Sequence, residues 1–360
     1  MSSGATSSFE GTERILGRLP AFSGLILDRF GPVQRVVFTD AHLAQQYPEP
    51  IEALQPHLLE VVAPGEGTKS FESVVAACNR MASARVERSA VAIVLGGGVV
   101  GDFGGFVASI YMRGLPLVQI PTSLVAMIDS SLGGKVGINL PAAKNLVGSF
   151  HPARLNLCDP TLLRTLPAEE FANGMAEAVK HALLDSQDHW SWLKGLDSHP
   201  QDWPDSSLEQ LVARSSQVKQ SIIEQDPYER SVRAHLNLGH TLGHAVEAVS
   251  GGMTGQGLTH GQAVSIGLVA SLKLSEKLRR LRQSELTAEV TETLRRWSLP
   301  TSISPELPWP AVERAMRNDK KVKDGNLRFI LLAQAGEVAG IEGVPSQLVQ
   351  QVFEEMQCGP

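Results

Sequence analysis

The sequence predicts an α/β fold in two parts, a parallel-sheet α/β domain over residues 1–163 followed by a mainly α-helical domain over 164–360. Three observations carry that prediction. Short apolar runs alternate with helix-length segments through the first half, as parallel βαβ units require. A buried-looking run, Ala90 to Leu95, passes directly into three glycines, the strand-to-helix turn of a Rossmann-like sheet. Beyond Pro167 the texture changes to long stretches with helical periodicity, including 168–184, 208–224, 261–281 and 286–297. A chain of 360 residues is also longer than one compact core usually supports.

In chain order, Arg35 to Asp40 reads as a strand ending in an acid, Ala90 to Leu95 as a fully buried strand, and Leu115 to Ile120 as a third. Pro160 to Pro167 marks the boundary. The polar stretch 185–207, rich in Asp, Ser, His and Trp, reads as a surface excursion.

Composition narrows the function classes. Apolar residues make up 42% and charged residues 19%, an ordinary globular balance, and the net charge of −6 argues against nonspecific binding to nucleic acid. The scattered cysteines Cys78, Cys158 and Cys358 show no metal or redox spacing, which fits a reduced intracellular setting. The N-terminus lacks a secretory pattern and no apolar run is long enough to span a bilayer, so a cytoplasmic enzyme is the expectation.

Three segments carry chemistry. Asn237 to His244 places His240 and His244 one helical turn apart, so both imidazoles share a face, and a third histidine follows at His260. The pair alone fits a metal site or a polar helix face. Gly96 to Asp102 (GGGVVGD) satisfies the dinucleotide pattern in the right context, although a tight turn using glycine would look the same. No acid closes the strand that follows; Asp40 closes an earlier one, which predicts a strand order unlike the standard Rossmann sheet. Finally, Pro121 to Asn139 sets glycines beside Lys135, and Ala176 to Lys180 puts Glu177 and Lys180 at i, i+3, ordinarily a surface ion pair.

Taken together, GGGVVGD, PTSLVAMIDSSLGGKVGIN, the Lys144-Asn145 pair, GMAEAVK, NLGHTLGH, His260-Gly261 and DKKVKDG from Asp319 resemble the 3-dehydroquinate synthase family, in order and over about residues 35 to 330. The resemblance implies a homodimer that uses NAD and one divalent metal, zinc or cobalt. Its substrate would be 3-deoxy-D-arabino-heptulosonate 7-phosphate. The implied route is transient oxidation by NAD, β-elimination of phosphate, re-reduction, ring opening and an intramolecular aldol, giving 3-dehydroquinate for the shikimate pathway. Other sugar-phosphate cyclases, and polyol dehydrogenases of the glycerol dehydrogenase type, are the rival readings.

The resemblance also implies roles. The metal ligands fall on Glu177, His240 and His260, a recurrent catalytic zinc set, which leaves His244 for substrate and proton transfer. Lys135, Lys180, Lys219, Arg233 and Asn237 join His244 as catalytic positions, with Asp129, Lys144, Asn145 and Lys320 binding substrate. Cofactor positions are Asp40, Glu66, Lys69, Gly97, Gly98, Val99, Asp102, Thr122, Ser123, Lys135, Lys144, Thr165 and Glu170. One departure bears on the metal: Gln262 stands where the family usually has glutamate, removing a carboxylate that can orient a ligand.

Overall fold

The structure, a computed structural model, describes residues 6–9, 11–141, 143–226, 231–251, 257–318 and 327–358. The chain divides into two compact units, Met1–Leu166 with Gln201–Ser216, and Pro167–Pro200 with Gln217–Pro360.

The first unit is organised by a seven-stranded sheet in the order β1-β2-β9-β6-β5-β3-β4. Its members are β1 (Thr6–Phe9), β2 (Thr12–Leu16), β3 (Arg35–Asp40), β4 (Leu58–Val62), β5 (Val91–Gly96), β6 (Leu117–Pro121) and β9 (Leu155–Cys158). Only β1 runs antiparallel to its neighbour, so six strands form a parallel sheet. All residues of β5, β6 and β9 are buried, as strands covered on both faces must be. The order departs from the standard Rossmann sheet in one respect. The first parallel strand, β2, lies beyond the last one, β9, rather than at the centre.

That arrangement makes β3 and β5 direct neighbours, while β3 leads to β4 on one side and β5 to β6 on the other. The carboxyl ends of β3 and β5 therefore form a topological switch point, where open α/β sheets bind ligands. Asp40 ends one of these strands and the glycine turn ends the other. Phe38 and Phe103 pack edge to face beneath it, with ring centroids 6.4 Å apart. A separate hairpin, β7 (Lys135–Leu140) with β8 (Ala143–Phe150), carries Lys135, Lys144 and Asn145.

Among its described residues, the regular structure of the second unit is helical apart from the hairpin of β10 (Arg328–Gln334) and β11 (Glu337–Glu342). Helices Ala168–Asp185, His240–Val249 and His260–Lys277 supply much of its core, and Phe171 packs against Trp297 with ring centroids 5.6 Å apart. Glycine sets how closely these helices approach. A Cβ on Gly267 would sit 1.8 Å from the Gly239 carbonyl, and one on Gly261 would sit 2.4 Å from Asn173 backbone atoms. No larger residue fits either contact.

Two features differ from the sequence-based division. The segment 185–207 is not a simple excursion: Gln187–Lys194 is a helix whose Trp190 is fully buried, with its indole N–H donating to Glu289 at 3.1 Å. Gln201–Ser216 also belongs to the first unit. Arg164 donates to the carbonyls of Gln201 and Trp203 at 2.7 and 2.6 Å and to Asp205 at 2.7 Å. Lys320, Lys321 and the rest of the Asp319 motif lie outside the described residues.

Candidate functional site

In the second unit, three helices bring a carboxylate and two imidazoles together. Glu177 and Lys180 lie mid-helix in Ala168–Asp185, His240 opens its own helix, and His260 opens the next. The ligand atoms of Glu177, His240 and His260 all lie within 4.8 Å of one another. Nε2 of His260 is 3.1 Å from Glu177 Oε1, and Nε2 of His240 is 3.5 Å from the same oxygen. The other ring nitrogens are tied elsewhere. Nδ1 of His240 donates to the Leu238 carbonyl at 3.0 Å, and Nδ1 of His260 lies 3.4 Å from Glu247 Oε2.

This pattern fixes each tautomer so that Nε2 faces inward, as second partners do around metal-bound histidines. A carboxylate oxygen and two imidazole nitrogens suit zinc and its first-row neighbours, so the residues fit a divalent ion. His244 lies on the same helix face as His240, with ring centroids 4.9 Å apart, and 5.8 Å from His260.

The charges are strongly perturbed. Burial would raise the Glu177 carboxyl, but the Lys180 ammonium and the two imidazoles that face it outweigh burial and hold the group well below the usual carboxylate range. Lys180 is itself buried and ion-paired with Glu177 Oε2. Burial, then the nearby Lys180, lowers His240 to about 3. His260 also suffers desolvation, but hydrogen bonds to Glu177 and Glu247 raise it to about 10. A proton on His260 thus occupies a place that attracts positive charge.

Glu247 carried no sequence-based role, yet its spacing was readable: it lies three residues after His244 and seven after His240, on one helical stripe. It bears on the Gln262 departure. Gln262 Oε1 accepts from Thr259 N at 2.9 Å in a capping box, while the carboxylate beside His260 comes from Glu247. Lys219 and Arg233 are buried in the same unit, and Asn237 is half-buried at the end of the 3-10 turn Val232–Asn237.

In the first unit, Gly98 opens the helix Gly98–Ile110, so its leading amides point past Gly97 and Gly98 in the way that receives a pyrophosphate. A Cβ on Gly98 would meet Ser130 Oγ at 3.1 Å. Val99 and Asp102 lie in the first turns of that helix. Asp40 Oδ1 accepts from Leu43 N at 3.0 Å as a helix cap. Lys69, nearly inaccessible, donates to Asp102 Oδ2 at 2.7 Å and to Asn145 Oδ1 at 2.5 Å. Asn139, a second residue without a sequence-based role, donates to Glu66 Oε2 at 2.6 Å and accepts from Asn145 N at 2.9 Å.

One network therefore joins residues assigned to the cofactor (Glu66, Lys69, Asp102) with one assigned to substrate (Asn145). Thr122 is buried and its amide donates to the Gly96 carbonyl at 3.0 Å. Ser123 Oγ accepts from Ala126 N at 3.3 Å, and Asp129 sits in the π-helical turn Ala126–Ser130. Thr165 shares a 2.5 Å hydrogen bond with Tyr47. Glu170 is exposed in the first turn of its helix in the other unit.

Comparison with known proteins is decisive about kinship. Residues 59–173 match the model of the 3-dehydroquinate synthase N-terminal domain and residues 174–322 that of the C-terminal domain. A 3-dehydroquinate synthase of Agrobacterium fabrum is 40% identical over 358 residues, covering 95% of this chain and 93% of the relative. One from Crocosphaera subtropica is 39% identical over 303 residues, covering 82% and 80%. Among solved structures, 2-epi-5-epi-valiolone synthase from Streptomyces hygroscopicus subsp. jinggangensis, with NAD+ and Zn2+ bound, superposes with a TM-score of 0.84 at 28% identity over 99% of this chain and 98% of its own. A 2-deoxy-scyllo-inosose synthase complexed with carbaglucose-6-phosphate, NAD+ and Co2+ shares the fold, with a TM-score of 0.85 at 23% identity over 98% of this chain and all of that one.

Proposed function

This chain belongs to the 3-dehydroquinate synthase family, and from that premise we propose that it converts 3-deoxy-D-arabino-heptulosonate 7-phosphate into 3-dehydroquinate and inorganic phosphate. It does so as a cytoplasmic homodimer, with NAD and one divalent ion, zinc or cobalt. The observation that carries the reading is the convergence of His240 and His260 on one oxygen of buried Glu177. Among the described residues, no helix is long and apolar enough to cross a membrane.

When bound, NAD supplies a reversible hydride acceptor and the metal ion polarises a substrate oxygen. Glu177, His240 and His260 hold the ion, oriented by Glu247 and the Leu238 carbonyl. The amides around Gly97, Gly98 and Val99 hold the pyrophosphate, and the second carboxylate oxygen of Asp40 holds a ribose hydroxyl. Glu66, Lys69, Asp102, Thr122, Ser123, Thr165 and Glu170 complete the cofactor assignment. The substrate carries phosphate and carboxylate, so it needs cations: Lys135, Lys144, Lys180, Lys219 and Arg233 supply them, the last with a two-pronged guanidinium. Asn237, Asp129 and Asn145 orient hydroxyls, His244 moves a proton, and Lys320 is assigned to substrate from the motif alone.

The reaction has no net redox change, which supplies its test. Purified protein is incubated with the heptulosonate phosphate, catalytic NAD and zinc or cobalt, while phosphate and absorbance at the NADH band are followed. Stoichiometric phosphate without NADH accumulation is the expected result. NADH build-up from glycerol, with no phosphate release, would replace the reading with a polyol dehydrogenase.

A further inference from the structure

A row of buried polar side chains runs across three neighbouring parallel strands, β2, β9 and β6, where apolar residues would pack at lower cost. Arg14 on β2 is in register with Asn156 on β9, and Asn156 with Gln119 on β6. All three are at most 5% exposed. The positions flanking them along the strands are Glu13, Ile15, Leu155, Leu157, Val118 and Ile120. Burying a guanidinium is expensive unless it is paired. Here the carboxylate that directly follows β9, Asp159, is engaged by Leu19 N, Thr161 and Arg18. Nη1 of Arg14 and Oδ1 of Asn156 have no hydrogen-bond partner among the described residues.

What the row does with its remaining polar atoms is consistent from strand to strand. Each side chain donates to the backbone of a segment that carries an assigned site residue. Nη2 of Arg14 donates to the Met127 carbonyl at 2.9 Å. Nδ2 of Asn156 donates to Ser131 at its carbonyl (3.3 Å) and its hydroxyl (2.8 Å). Nε2 of Gln119 donates to the Gly101 carbonyl at 3.2 Å, one residue before Asp102. A Cβ on Gly101 would touch the Gln119 amide at 3.4 Å, so the two are packed as well as bonded.

The bond to Met127 has a specific cause. Ala126–Ser130 is wound as a π turn: Ser131 N reaches the Ala126 carbonyl, five residues back, at 3.3 Å. In an α-helix that amide would serve Met127. The π turn thus withdraws the usual donor from the Met127 carbonyl, and Arg14 replaces it. Ser131 Oγ, held by Asn156, donates to the Ala126 carbonyl at 2.6 Å and closes the same turn from the other side. A π turn inserts one residue into the winding and so re-aims what it carries, here Asp129.

We propose that Arg14, Asn156 and Gln119 are positioning residues, a polar row that keeps the Asp129 turn π-wound and the glycine-rich helix fixed to the sheet. The inference rests on the proposed reaction only for the meaning of Asp129, since the clamp itself is a property of the fold.

The test uses full-length, NAD- and metal-loaded protein with Arg14→Met, which keeps bulk and removes the donors. Turnover of the heptulosonate phosphate by the unmodified protein is measured first; failure there counts against the reaction, and the clamp is then judged on exchange alone. Hydrogen exchange of the amides in 126–132 should rise about tenfold in Arg14→Met, with the rest of the sheet unchanged. The melting temperature should move by less than about 4 °C, because a buried charge is lost along with the bond. kcat/KM for the phosphate substrate should fall at least about tenfold while KM for NAD stays within about twofold. Combined with Asp129→Asn, the loss should be far from additive. Unchanged exchange in 126–132 would overturn the proposal, as would additive losses. If Arg14→Met unfolds, Arg14→Lys decides: an amine that still reaches the carbonyl should restore native exchange, and failure to restore it in a folded Lys variant counts against the clamp.

Discussion

The glycine turn of the first unit and the histidine cluster of the second manage charge in opposite ways. Around the glycine turn, ionised side chains are already matched: Lys69 sits between Asp102 and Asn145, and Glu66 accepts from Asn139. The cluster in the second unit is unbalanced. Two carboxylates, Glu177 and Glu247, flank His260 strongly enough to keep it protonated to about pH 10. The contrast teaches what each place is built to receive. A turn made of backbone amides accepts an extended ligand by shape, whereas a cluster that demands a proton will exchange that proton for a cation.

The strongest way to break this comparison is to remove a ligand. His260→Ala and Glu177→Ala should each lose bound metal, to below about a tenth of an equivalent by elemental analysis, with activity falling about a thousandfold or more. His244→Ala should retain the metal and lose turnover only. Equal metal loss in all three would abolish the division of roles on that helix face.

A smaller effect comes from glycines where an added methyl, rather than a lost donor, disturbs the site. Gly261→Ala forces a methyl into Asn173 backbone at 2.4 Å, so metal affinity should weaken about tenfold although every donor remains. Gly98→Ala meets only the rotatable Ser130 hydroxyl at 3.1 Å; it should raise KM for NAD about tenfold and leave metal content unchanged. Titration calorimetry with each ligand separates the two outcomes.

The smallest effect is a pH dependence of the metal-free protein. His260, raised from 6.5 to about 10, contributes stability that is complete below pH 6.5 and is lost as pH climbs through 10. His240, lowered from 6.5 to about 3, contributes stability that is complete above pH 6.5 and is lost as pH falls toward 3. The cluster's contribution should therefore peak near pH 6.5, and added zinc should remove the alkaline decline because the ion replaces the His260 proton. Melting curves across pH, with and without metal, check both limbs.

The sequence carried these two places unequally. The glycine turn was legible because its geometry is local: a strand, three glycines and a helix start are contiguous, and Asp40 announced the altered strand order. The cluster was only half legible. Helical spacing exposed His240 and His244, but by spacing alone Glu177 looked like one half of a surface ion pair; the family resemblance marked it as a ligand, and the structure buries both it and Lys180. Nothing local marks a helix that will be enclosed on every side. Glu247 lay on a readable stripe, but it acts on a histidine thirteen residues away, across a helix contact that pattern alone does not reveal. Asn139 and the row from Arg14 to Gln119 were illegible for the same reason, since each works on the backbone of a distant segment.

The return of Gln201–Ser216 to the first unit has a consequence for synthesis. Arg164 cannot find the Gln201 and Trp203 carbonyls until that stretch has left the ribosome, by which time Pro167–Pro200 of the second unit is already made. Neither unit corresponds to one uninterrupted stretch of chain. A cut after Leu166 would release a fragment missing its own last piece, with Arg164 stranded, so expressing either half alone should yield aggregate rather than a working module.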